Sequence, residues 1–79
     1  MPAFGDELRR LREKKQASTR DVGQAVGIPH SRYSELEKGI RIPTEGQIQR
    51  LEKYYETEPG TLGALMKKQW DNLLQAAAA

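Results

Sequence analysis

Hydrophobic positions recur at helical spacing along this 79-residue chain, and the alternation that marks a strand is missing throughout. Phe4, Leu8 and Leu11, with Lys15 in the same register, recur at that spacing and predict a first amphipathic helix over roughly residues 4–16. Ser18 followed three positions on by Asp21 is a capping-box-like start for a second helix, with Val22, Ala25 and Val26 as its buried side. Gly27 can take the left-handed conformation that ends it, and Ile28 plugs the turn. Pro29 suits the start of a third helix, where its missing N–H is not needed. Tyr33, Leu36 and Glu37 fall on one side of that helix, and Gly39 stops it.

Ile40-Arg41-Ile42-Pro43 then reads as a short loop with two apolar anchors. Thr44 with Gln47 is a second capping box, opening a helix whose buried residues are Ile48, Leu51 and Tyr55. Thr57-Glu58-Pro59-Gly60 breaks the chain again, with Pro59 near a first helical position. Leu62, Leu65, Met66, Trp70, Leu73 and Leu74 continue a helical pattern, predicting a last helix over about 59–76. Four terminal alanines favour helix and carry no chemistry. The expectation is an all-α, five-helix fold forming one domain over residues 1–79, without repeat or linker.

Composition narrows the chemistry. The chain is near the lower size at which one core holds unaided. It has no cysteine, so disulfide staples and thiolate metal sites are excluded. A lone histidine, His30, furnishes neither a metal site nor a catalytic pair, and the carboxylates are scattered. The expectation is therefore no enzyme, no metal and no cofactor. No apolar run approaches a membrane span and no signal-peptide pattern opens the chain, so a cytoplasmic protein is expected.

Thirteen Lys+Arg against eleven Asp+Glu leave a net charge of only +2, which decides little. Distribution says more: Arg9, Arg10, Arg12, Lys14 and Lys15 crowd the first helix, while Glu45, Glu52, Glu56 and Glu58 lie later. That asymmetry suits an N-terminal half facing phosphates, although a solvated charged face would look the same.

Ser18 to Gly39, STRDVGQAVGIPHSRYSELEKG, is two short helices joined at Gly27, the layout of a helix-turn-helix (about residues 18–39). The stretch from about residue 4 to 66 resembles the Cro/C1-type, or XRE-like, helix-turn-helix family. Phe4-Gly5 with Leu8-Arg9 and Leu11-Arg12 looks like its opening helix, Ser18 like its cap, and Val22-Gly23 like its apolar-then-small pair. Gly27-Ile28 is similar to its turn, Leu36-Glu37-Lys38-Gly39 to the end of its third helix, and Pro43-Thr44 to the start of its fourth. The resemblance implies a lambda-repressor-like domain whose third helix enters the major groove of DNA.

Physical reasons stand beside the resemblance. Gly23 must be small where the second and third helices cross, at a helix-propensity cost of roughly 1 kcal/mol against the alanine more usual in the family. Val22, Val26, Ile28, Tyr33 and Leu36 form the core between those helices. Tyr33 departs from the aliphatic residue usual there and fits if its hydroxyl reaches an edge. The resemblance also implies a partly buried ion pair between Arg12 and Glu37, orienting the third helix more than stabilising it.

With Tyr33 and Leu36 turned inward, the outer face presents Ser31, Ser34, Glu35 and Lys38, flanked by His30 and Arg32. By family position Pro29, His30, Ser31, Arg32 and Glu35 match places that reach base edges, and Ser34 shares the face. Arg32 can pair bidentately with guanine, and His30 can donate to a purine N7. Glu35 reads either as a cytosine selector or as a veto that orients Arg32. Thr19 and Arg20 open the second helix, where free N–H groups favour an anion. Lys38 and Arg41 bracket the exit of the third helix. These four are the expected phosphate contacts, which position without choosing sequence.

The apolar arc of the last helix spans about half its circumference, wider than one core needs. One edge is expected to complete the core and the other, with Met66, Trp70, Leu73 and Leu74, to pack on a second subunit. Packing of Trp70 on its own domain is the competing reading. The resulting expectation is a dimeric regulator, a repressor of bacterial or phage type, binding an inverted repeat in double-stranded DNA. An antitoxin with a toxin partner, or a restriction-modification controller, has the same fold class. A protein-interaction module that lost DNA binding is the rival from another class.

Overall fold

The structure is a computed structural model that describes residues 3–78, with side-chain surroundings through Gln75. Five helices make up the described residues: α1 (Phe4–Lys15), α2 (Thr19–Val26), α3 (His30–Lys38), α4 (Glu45–Tyr54) and α5 (Thr61–Ala78). Both capping boxes are complete. Ser18 Oγ accepts from Asp21 N and Asp21 Oδ2 from Ser18 N, each at 3.0 Å. Thr44 and Gln47 exchange the same pair of bonds at 3.1 and 3.0 Å.

Helix ends differ from the expected ones in instructive ways. α1 stops at Lys15 because Gln16 turns left-handed (φ 59°), letting Ala17 N reach Arg12 O and Gln16 N reach Glu13 O. Pro29 is the N-cap of α3, just outside the helix, and its carbonyl accepts the first bond from Tyr33 N. α5 begins at Thr61, two residues past Pro59, because Gly60 (φ 93°) turns the chain first. The buried carboxylate of Glu52 caps α5, accepting from Leu62 N at 2.9 Å and Gly63 N at 3.3 Å. Glu52, one of the later glutamates, thus belongs to the interior.

The core gathers Phe4, Leu8, Val22, Val26, Ile28, Tyr33, Leu36, Leu51 and Leu62, drawn from every helix and the α2–α3 turn. Its assembly leaves three expected anchors outside. Ala25 is exposed, because at about 100° per residue it projects more than a quarter-turn from the centre of the Val22–Gly23–Val26 stripe. Ile40 and Ile42 are 69% and 58% exposed, and Pro43 alone of that loop is buried. Gly39 (φ 76°) reverses the chain at the end of α3, so the loop leaves the core before these side chains reach it.

α5 closes the base. Leu62 is buried, and Leu65 and Met66 pack on the core. Gln69 Oε1 accepts from Phe4 N at 3.1 Å and so caps α1 across the domain. Beyond it Trp70, Leu73 and Leu74 are 44–55% exposed. Of the four residues expected to face a second subunit, Met66 therefore serves its own core, whereas Trp70, Leu73 and Leu74 stay on the surface. No helix among the described residues is long and apolar enough to cross a membrane.

Candidate nucleic-acid interface

Two glycine contacts set the position of α3. A Cβ on Gly23 would stand 2.5 Å from Ile28 O and 3.2 Å from His30 Cα, so α2 meets the turn backbone directly. A Cβ on Gly5 would collide with the carbonyl of Glu37, so α1 meets the end of α3 the same way. These crossings leave no side-chain layer in which α3 can rotate.

Polar contacts hold α3 from its inner side. Arg12 Nε donates to Glu37 Oε2 at 2.7 Å and Nη2 to Oε1 at 3.1 Å, while Nη1 donates to Ala17 O at 3.2 Å. The side chains are 19% and 9% exposed. Hydrogen bonding to Glu37 holds the Arg12 proton more firmly than usual, against the desolvation that burial adds. One guanidinium thus joins α1, α3 and the chain leaving α1. The Tyr33 hydroxyl lies 2.6 Å from that of Tyr55, tying α3 to the end of α4.

The opposite side of α3 is open. His30, Ser31, Arg32 and Lys38 are exposed, and Ser34 and Glu35 are half-buried. Pro29 is exposed just before the helix. Thr19 and Arg20, expected to act alike, face different ways. Arg20 lines a shallow depression with Pro29 and His30 at the start of α3. Thr19 lines a cleft of about 450 Å³ together with Asp6, Arg9, Ser34, Lys38 and the Arg12–Glu37 pair. Arg9 belongs to the basic crowding on α1 but is not among the four individually expected phosphate contacts. Its position facing α3 depends on how α1 crosses, which spacing within α1 does not reveal.

Charge is more balanced here than along the chain. Arg9 pairs with Glu13 at 2.8 Å, Arg10 with Glu7 at 2.6 Å, and Lys15 Nζ lies 4.8 Å from the Tyr54 ring centre. The Arg10 hydrogen bond holds the Glu7 carboxyl below its ordinary range. Of the basic crowding on α1, Arg9 and Arg10 are therefore matched within the helix, and Arg12 and Lys15 by groups on other helices. Arg41 does not stand free beside Lys38; its Nη2 lies 3.6 Å from Glu35 Oε1. Among the described residues no group of three or more His, Cys, Asp or Glu is placed to hold a metal ion.

The surface offers an exposed short helix with hydrogen-bonding side chains, flanked on two sides by hydroxyl and cationic groups. That arrangement fits a duplex groove between two phosphate ridges. A family model described as a helix-turn-helix domain matches residues 3–65. A protein of Methanoregula boonei carrying the name of an HTH-type transcriptional regulatory protein is 40% identical over 53 residues, 67% of this chain and 16% of the relative. An uncharacterized HTH-type transcriptional regulator of Mycobacterium tuberculosis is 34% identical over 62 residues, 78% of this chain and 24% of the relative. Another from Sinorhizobium fredii is 29% identical over 55 residues, 70% and 38%. The chain spans well under half the length of these relatives. No solved structure gives a significant match.

Proposed function

The chain belongs to the helix-turn-helix domain family, and on that premise we propose that it is a DNA-binding transcriptional regulator acting as a dimeric repressor. Helix α3 enters the major groove, with Arg32, His30 and Ser31 toward base edges and Pro29 at the groove wall. Ser34 and Glu35 lie deeper on the same face. Thr19 and Lys38 meet one phosphate ridge, and Arg20 the other. Two copies joined through Trp70, Leu73 and Leu74 would read half-sites about 34–36 Å apart in an inverted repeat. Repression follows from occupying a promoter.

The observation that carries this reading is the openness of His30, Ser31 and Arg32 on a helix whose other side is locked by Gly5, Gly23 and Arg12. The rival interaction-module reading rests on the Glu35 carboxylate in the reading face and on the modest net charge of +2. Arg41 beside Glu35 weakens that support.

The test is duplex binding as a function of salt. Log affinity should fall linearly with log salt, at about 0.9 for each phosphate contacted. Replacing Arg32 and Ser31 by alanine should erase sequence preference while leaving the salt slope nearly intact. A flat salt response, or unchanged preference in that variant, defeats the proposal.

A further inference from the structure

The reading face carries a carboxylate whose nearest cation comes from outside the helix. Glu35 lies one turn from Arg32 and Ser31, and its side chain is 34% exposed. Arg41 is six positions later in the loop, 45% exposed, with Nη2 3.6 Å from Glu35 Oε1. The chain is brought back by a specific turn. Ile40 N donates to Glu35 O at 3.0 Å and Gly39 N to Leu36 O at 3.3 Å, the paired bonds that form when a left-handed residue ends a helix. Gly39 at φ 76° supplies that residue, and Arg41 follows two positions later.

The separation matters. At 3.6 Å the pair is longer than the roughly 2.7–2.9 Å of a tight charge-assisted bond. Both groups are wet, so the attraction is modest and exchangeable. A phosphate approaching this corner meets a guanidinium whose Nη2 is already drawn toward the Glu35 carboxylate. A carboxylate this close to DNA also repels the backbone unless something neutralises it or donates to it.

We propose that Glu35 determines specificity through Arg41: it withholds the loop guanidinium from the phosphate backbone on arbitrary duplexes. Glu35 is then a positioning residue and not a reader of bases. Arg41 adds little to nonspecific binding while the pair is intact. On a preferred site, the contacts of Arg32, His30 and Ser31 draw α3 deep enough for a phosphate to take Arg41 from Glu35. Specificity rises because binding anywhere else forgoes one phosphate contact. This inference rests on the DNA-binding reading above.

The experiment is a double-mutant cycle on the full chain. E35Q, R41Q and E35Q/R41Q are compared with the unsubstituted protein on a random-sequence duplex and on a site selected from a random pool. E35Q should raise affinity for random duplex about threefold to tenfold and steepen the salt slope by about 0.9, the signature of one added phosphate contact. R41Q alone should change random-duplex binding less than twofold, yet weaken selected-site binding by about threefold or more. In E35Q/R41Q the gain of E35Q should vanish. If E35Q gains equally with and without Arg41, Glu35 acts by direct repulsion and the proposal fails. If the selected sequence loses a cytosine preference in both backgrounds, Glu35 reads a base and the proposal fails. Unchanged binding in E35Q also overturns it. These outcomes leave the functional reading standing, whereas no duplex binding by the unsubstituted chain at low salt defeats both.

Discussion

The hydroxyls of Tyr33 and Tyr55 meet at 2.6 Å, joining the buried side of the reading helix to the end of α4. Their surroundings differ. Tyr33 has no exposed surface, whereas Tyr55 is half-buried. The two phenylalanine variants should therefore cost unequally. In Y33F the Tyr55 hydroxyl can turn to water, and the loss should be about 0.5–1.5 kcal/mol. In Y55F the buried Tyr33 hydroxyl loses its partner at 2.6 Å and keeps only the nearby Glu37 carboxylate as acceptor, so the loss should be larger, toward about 1–3 kcal/mol. Urea denaturation of the two variants measures the difference; equal losses would mean that water reaches both hydroxyls.

The same pair sets an alkaline limit. Burial pushes the Tyr55 phenol up to about 12. It pushes Tyr33 further, reinforced by the Tyr55 hydrogen bond and the nearby Glu37 carboxylate. A pKa raised in the fold means stability that is complete below the ordinary tyrosine value of about 10 and is lost as pH rises above it. Phenolate absorbance from these two residues should therefore appear together with unfolding, above pH 10. Appearance of both phenolates in a chain that keeps its helical circular dichroism would contradict the described burial.

The Arg12–Glu37 pair should be costly to break and cheap to replace. E37Q leaves a mostly buried guanidinium without its counter-charge and should cost about 2–3 kcal/mol, below the figure for a fully buried pair because Arg12 retains 19% exposure. A joint R12M/E37L replacement should restore much of that loss. DNA binding separates orientation from stability. If the pair orients α3, the apolar variant should fold well but bind its site more weakly.

Gly23 inverts the usual helix-propensity rule. Alanine in a helix interior ordinarily gains about 1 kcal/mol over glycine. Here the added Cβ would face the Ile28 carbonyl at 2.5 Å, and backbone does not yield as a side chain does. G23A should lower the melting temperature. A rise would show that the turn relaxes at little cost, so that the helix-propensity gain prevails.

Self-association is expected to reside in the outer end of α5. W70E or L74E should shift the chain to monomer in sedimentation equilibrium while keeping its helical circular dichroism, because both side chains are about half exposed in the single chain. Binding to an inverted repeat should then weaken far more than binding to a single half-site. If the unsubstituted chain is monomeric at micromolar concentration, Trp70, Leu73 and Leu74 have another role.

What the amino-acid sequence determined by itself is local. The five helices, the Ser18 and Thr44 capping boxes, the Gly27 and Gly39 stops and most core positions follow from short-range periodicity and turn chemistry. The outward set on α3 follows too, because burying Tyr33 and Leu36 leaves its other face to solvent. Only the tertiary structure decided which distant groups meet. Glu52 caps a helix ten residues away, Gln69 caps α1, Tyr33 finds Tyr55, and Arg41 folds back onto Glu35. Ala25, Ile40 and Ile42 are exposed against their apolar character for the same reason. A side chain's burial depends on where neighbouring helices cross, and those crossings are set by close backbone contacts at Gly5 and Gly23 that no single helix encodes.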